Sequence, residues 1–247
     1  MNENRRPLEI TSFCLHIMAM VFMLCDHLWG TLISGNDWLT CIGRLAFPLY
    51  AFMLVEGYFH TRDLKKYIRR LFLFALLSEI PFNLAMGSRL FYPIHQNVLW
   101  SFLISVALIH WNQRVREQAL LKRLLVGILT VCIGYVVGLI TFVDYYHAGI
   151  LMVLTFYFFR GRKWWQFVAQ LLCLWYINLE MLGGYSYEVQ IGAQTYFLVR
   201  QGFALLSLIP ILLYRGKQGY HSKALQYFYY SFYPLHLLIL GVLKFLI

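Results

Sequence analysis

Long apolar runs separated by short polar connectors make up the chain. At about 20 apolar residues per membrane crossing, the runs predict helices near 9–33, 38–60, 67–87, 95–112, 123–142, 146–160, 163–182, 192–214 and 223–246. The expected fold is an all-α polytopic integral membrane protein with about nine transmembrane helices, in one domain over residues 1–247. Two stretches leave a count of eight or ten open. The 146–160 run is short, and 183–202 carries Gly183, Gly184 and several polar residues that suit a re-entrant or outer loop. No repeat period, low-complexity tract or soluble domain interrupts the pattern, and the two halves show no obvious similarity, which weighs against an internal-repeat transporter.

Composition strengthens this reading. Apolar residues make up 60% of the chain and charged residues only 13%, well outside the soluble range. The first run is too long, and too polar near its outer end, for a signal-peptide core, and no small-x-small cleavage site follows it; it reads as a retained helix. All five cysteines (Cys14, Cys25, Cys41, Cys132, Cys173) fall within apolar runs without the clustered spacing of a disulfide framework or a metal site, so they read as packing residues.

The net charge of +10 reports topology and argues against nucleic acid as a partner, because the basic residues sit in short clusters between apolar runs. Every second connector is basic. Under the positive-inside rule 17 of the 21 Lys and Arg residues fall on one side, which places the N-terminus in the cytoplasm and the C-terminus outside.

Against this apolar background the buried ionisable residues stand out, since each costs roughly 3 kcal/mol at membrane depth. Asp26 and His27 lie in the outer half of the first run, Arg44 in the outer half of the second, and Glu56 near that run's cytoplasmic end. Glu79 and Asn83 on the third run, Gln96 and Asn97 at the start of the fourth, Asp144, His147, Arg200 and His236 fall at mid or outer depth. One polar layer is expected to collect most of them. His16 and His27, eleven residues apart, return to nearly the same helix face, roughly 16 Å apart along the axis. Asp26 points about 100° away from His27, so it is expected to pair with Arg44 or to face another helix. His60, His95, His110 and His221, close to run ends, read as structural. The cluster Arg62, Lys65, Lys66, Arg69 and Arg70 reads either as an orientation signal or as a basic patch for a phosphorylated cytosolic cofactor.

The segments MLCDH (23–27), GRLAFPLYAFMLVEGYFHTRDLKKY (43–67), LFALLSEIPFNL (73–84), QNVLWSFLISVAL (96–108), DYYHAGILMVL (144–154) and FYPLHLLIL (232–240) resemble the TraX family, named for a conjugation-system protein that acetylates the N-terminus of pilin. The family also looks distantly similar to the integral-membrane acyltransferase-3 group, in which an Arg-x10-His arrangement occupies the first helix. Here His16-x10-His27 fills that spacing: the distal His is retained and the Arg is not. TraX-like sequences often carry a Lys at the place of His16.

The resemblance implies transfer of an acetyl group from acetyl-CoA, as co-substrate, to an amine or hydroxyl acceptor: a pilin N-terminus, a peptide, a glycan or a lipid, arriving from the outer face or the membrane plane. His27 is then the expected base. Arg44 stabilises the oxyanion or holds Asp26 or Glu79, and His236, Asn83 and Asn97 orient the carbonyl or the acceptor. The cofactor side is expected to draw on Arg62, Lys65, Lys66, Arg69 and Arg70, with His16, Glu56, Asn83 and Asn97. Two other readings compete. A proton-coupled transporter would use the Asp, His, Arg and Glu residues as a relay, and a structural component of a surface-appendage system would need none of them for chemistry.

Overall fold

The computed structural model describes residues 9–192 and 194–246; the basic pair Arg5 and Arg6, which contributes to the expected orientation, lies outside them. Helix α1 (Ser12–Thr31) is followed by α2 (Asp37–Gly43), α3 (Ala46–His60), α4 (Leu64–Gly87), α5 (Val98–Gln113), α6 (Leu120–Ile140), α7 (Tyr146–Phe158) and α8 (Trp164–Trp175). A π-helical segment (Tyr176–Leu182), a hairpin of β1 (Ser186–Ile191) and β2 (Gln194–Val199), a 3-10 helix (Arg200–Ser207), α9 (Leu208–Leu213) and α10 (Lys223–Leu246) complete the chain.

Among the described residues, five helical stretches are long and apolar enough to cross a membrane: α1, α2 with α3, α4, α6 and α10. Shorter apolar helices fill the space between them. α7 is buried along nearly its whole length and forms the centre of the bundle with α3 and α5 through Leu49, Val55, Val106, Ile109, Ile150 and Met152. α6 instead turns a row of Leu, Ile and Val side chains outward, as a lipid-facing helix does. Its Gly134 and Gly138 face α7: a Cβ on Gly134 would stand 3.0 Å from Ile150, and one on Gly138 would strike the His147 backbone. This is close packing of the small-xxx-small kind.

The 38–60 run forms one apolar stretch, Asp37–His60, interrupted by a turn at Arg44–Leu45 between α2 and α3. Two expected elements are corrected. The 163–182 run ends as a π-helix, and the 192–214 run is a strand, a 3-10 helix and a short α-helix, so the fold is not all-α. Hydropathy counts apolar residues without regard to period. Here the Tyr, Val, Ile, Thr and Phe residues bracketing Gly192 favour strands, and β1 and β2 pair with each other from Ser186↔Val199 to Ile191↔Gln194. That pairing satisfies backbone groups that a helix would otherwise satisfy internally.

α1, α4 and α10 run side by side in the same direction. His16 stacks on Tyr229 at 4.5 Å between ring centres, and His27 stacks on His236 at 4.9 Å. Arg70 lies over the Tyr230 ring, whereas Lys244 Nζ donates to the Ala85 carbonyl at 3.0 Å. One end of the bundle therefore gathers the starts of all three helices, with Arg62–Arg70. The other gathers their ends, with the 88–97 connector.

Candidate active site

The bundle end away from Arg62–Arg70 holds a cavity of about 40 Å³ lined by residues that include Asp26, His27, Tyr50, Asp144, Tyr145 and Tyr233. Its chemistry starts at α10. His236 Nδ1 lies 2.6 Å from the Phe232 carbonyl, which can only accept, so this nitrogen carries the proton. His236 Nε2 is then an acceptor, and it lies 2.6 Å from His27 Nδ1, which must donate to it. The assignment runs through the network to its end: His27 Nε2 is left unprotonated, with no protein partner among the described residues. A free basic lone pair beside the cavity is the outcome.

Asp26 faces away from this histidine pair, as neighbours on a helix do, and accepts from Arg44 Nη2 and from Thr40 Oγ1, the latter at 2.8 Å. Gly43 makes the approach possible, because a Cβ there would collide with the Asp26 side chain. Arg44 sits at the turn between α2 and α3, and its Nη1 reaches Gln201 Oε1 at 3.3 Å; Gln201 in turn donates to Asn178 Oδ1 at 3.0 Å. Arg44 Nε is buried and has no partner among the described residues, which leaves one charge-assisted donor in reserve.

Asp144 enters from the connector before α7. This segment is strained: Phe142, Tyr145 and Tyr146 adopt φ of 53°, 60° and 46°, values that bulky residues rarely take. It is pinned by Gln96, whose backbone bonds Phe142 and Asp144 at 2.8 and 2.9 Å, and by Ser101 Oγ, which donates to the Asp144 carbonyl at 2.8 Å. Asp144 Oδ1 lies 3.4 Å from His95 Nε2. That bond raises the His95 pKa above its ordinary value, while partial burial opposes the rise.

Other expected site residues fall elsewhere. Glu79 accepts from Asn97 at 2.5 Å and Trp100 at 3.0 Å, and its Oε1 is buried without a partner among the described residues. Asn97 caps α5 and also donates to the Ala75 carbonyl at 2.8 Å, so its amide is committed to joining α4 and α5. Asn83 lines a second, larger cavity beside His95. Asn83 lies roughly 30 Å from Arg62 along α4 at 1.5 Å rise per residue, and Asn97 meets the middle of that helix at Ala75 and Glu79, so the expected cofactor set is spread along α4 and is not one site. Arg62, Lys65 and Arg69 are exposed at the opposite end, Lys66 pairs with Asp63 at 3.3 Å, and Arg70 packs on Tyr230. Glu56 is there too, held by Arg160 at 2.6 and 3.3 Å, and His16 bonds the Ser12 carbonyl at 2.7 Å.

Not all of the expected polar residues join this network: Arg200 stacks over Trp29 at 4.6 Å, and His147 packs against Tyr135. His95, read as structural, instead stands between the two cavities. Gln201, Asn178 and the tyrosines were not singled out. The two amides carried the same signal as the charges, polarity within an apolar run, while Tyr50, Tyr145 and Tyr233 could not be told from interfacial or packing aromatics.

Residues 12–244, which span every element just described except the last two residues of α10, match the TraX protein family. The chain is 28% identical over 250 residues to the probable fimbrial assembly protein FimC, serogroup H1, of Dichelobacter nodosus, an alignment covering 95% of this chain and 96% of that protein. No solved structure matches. With α1, the α2–α3 break, the Asp144 segment and the His236 helix all inside the matched region, the chain belongs to the TraX family.

Proposed function

We propose that this protein is a membrane-embedded acetyltransferase that moves an acetyl group from acetyl-CoA to an amine or hydroxyl acceptor. The supporting observation is the Phe232–His236–His27 chain, which orients one imidazole and leaves its Nε2 free beside a cavity that Asp26, Asp144 and three tyrosines also line. In this reading His27 Nε2 takes the proton of the acceptor as the acceptor's nitrogen or oxygen bonds the acetyl carbon. His236 keeps the tautomer fixed. Arg44 Nε is the donor for the carbonyl oxygen as negative charge builds on it, and Asp26 holds the guanidinium in place. When the carbon–sulfur bond breaks, His27 returns the proton to the departing thiolate.

Acetyl-CoA supplies the acetyl group as a thioester. Its phosphates fit Arg62, Lys65 and Arg69, which are exposed and make no ion pair among the described residues. That end faces the cytosol in the orientation read from the charges, so the site lies toward the outer face of a bacterial cytoplasmic membrane. From the start of α1, His27 is about 22 Å along the helix, so the thioester arm enters the bundle or the acetyl group is relayed. The similarity to a probable fimbrial assembly protein favours a pilin or another surface-appendage peptide as acceptor, with glycans and lipids as the other classes.

The test uses purified protein, labelled acetyl-CoA and pilin, peptide, glycan and lipid acceptors. Transfer is expected in the wild type and lost in His27→Ala; transfer unaffected in that variant overturns the assignment. A proton-coupled carrier would show no saturable affinity for CoA, whereas an acetyltransferase shows it.

A further inference from the structure

Behind His95 lies the larger cavity, about 270 Å³, formed by the last turns of α4 and the 88–97 connector and lined by Phe82, Asn83, Met86, Arg89, Tyr92 and His95. Two of these residues have unmet chemistry. Asn83 is 2% exposed, yet its Oδ1 has no hydrogen-bond partner among the described residues; a buried acceptor left bare costs about 1–3 kcal/mol, which a ligand donor removes. Arg89 is exposed and makes no ion pair among the described residues. Phe82 packs edge-on to His95 at 5.1 Å between ring centres.

The cavity is one side chain away from the first. His95 lines it and bonds Asp144, which lines the His27 cavity. Phe82 and Met86 pack with Met23 and Tyr233, themselves part of the wall around His27.

We infer that this second cavity is an acceptor subsite for a hydroxyl-bearing anion, with Arg89 as counter-ion and Asn83 Oδ1 accepting a hydrogen bond from the ligand. A phosphate or carboxylate group carrying a neighbouring O–H supplies both interactions. It enters where α4 ends, at the same bundle end as His27. The subsite's role as an acceptor site rests on the acetyl-transfer reading, whereas its ligand chemistry does not.

The binding test therefore omits acetyl-CoA. The full chain in phosphatidylcholine nanodiscs is titrated with inorganic phosphate, which is both an anion and an O–H donor, by calorimetry. Saturable binding is expected, weakened about tenfold or more in Arg89→Ala, where one charge-assisted hydrogen bond is lost, and in Asn83→Leu, where the buried acceptor is replaced at similar volume. Arg116→Ala, which removes an exposed charge elsewhere, keeps wild-type affinity. Arg89 is exposed, so its substitution tests the site without threatening the fold. Absence of saturable binding, or wild-type affinity in Arg89→Ala, overturns the inference. Nanodiscs containing phosphatidylglycerol distinguish the sources: loss of phosphate binding there identifies a lipid headgroup as the occupant, and retained binding a soluble anion. Phosphate binding that depends on Arg89 in a protein with no transferase activity would sink the acetyl-transfer reading alone. Transfer by a protein that does not bind phosphate would sink the subsite alone.

Discussion

The two histidines differ in what a substitution should do. Removing His27 takes away the base, so acetyl transfer should fall by about 10²-fold or more in His27→Ala. Among the described residues His236 hydrogen-bonds only His27 and its own helix, which makes it a positioning residue. His236→Gln retains a side-chain acceptor and should keep much of the activity, while His236→Leu should lose about tenfold to hundredfold, as when other groups that fix a histidine's tautomer are removed. A pH–rate profile separates the two cases, because only loss of the orienting bond lets His27 take the other tautomer. Equal loss in His236→Gln and His236→Leu would refute the orienting role of His236. His95 makes a second residue-scale prediction. Its pKa is raised in the folded protein by the Asp144 bond, so the stabilisation is complete below the ordinary value near 6.5 and is lost as pH rises through the raised value. The melting-temperature advantage of wild type over His95→Gln should shrink as pH rises above about 6.5.

At the scale of elements, the α2–α3 break and its glycine carry the ion pair. A methyl group at Gly43 would drive into Asp26, so Gly43→Ala should lower stability by about 1–3 kcal/mol, read as an earlier unfolding transition in detergent. Asp26→Asn leaves Arg44 without its counter-charge in a site where the two side chains are only 17% and 18% exposed. The cost should be about 3 kcal/mol or more, and the double variant Asp26→Asn with Arg44→Gln should lose less than the two single losses combined. The pairing of Asp26 with Arg44 was legible in the sequence, because adjacent residues on a helix face apart and a buried carboxylate needs a cation. The hairpin was legible only as a departure from a spanning helix, since Gly183, Gly184 and the polar residues of 183–202 suited a re-entrant or outer loop. The strand pairing itself depends on contacts between the two arms. The positive φ angles of the 142–146 segment were not legible, because no glycine marks them.

Across the whole molecule, the parallel course of α1, α4 and α10 separates a basic end from a histidine end. If the basic end holds the nucleotide of acetyl-CoA, Lys65→Ala combined with Arg69→Ala should raise KM for acetyl-CoA with kcat nearly unchanged, since the interaction is equal in ground and transition states. A fall in kcat with unchanged KM would contradict that placement. By itself the sequence determined the membrane class, most helix positions, the family resemblance and the residues too polar for their surroundings, because these depend on composition and on periods within a single segment. Which polar groups meet was decided by the tertiary structure. His27 finds His236, 209 residues away, only because α10 returns beside α1. Asn83 comes to line a cavity and Asn97 is sealed into a cap because α5 begins against the middle of α4, at Ala75 and Glu79. Contacts between distant segments follow from how helices pack against one another, and no local pattern of residues encodes that.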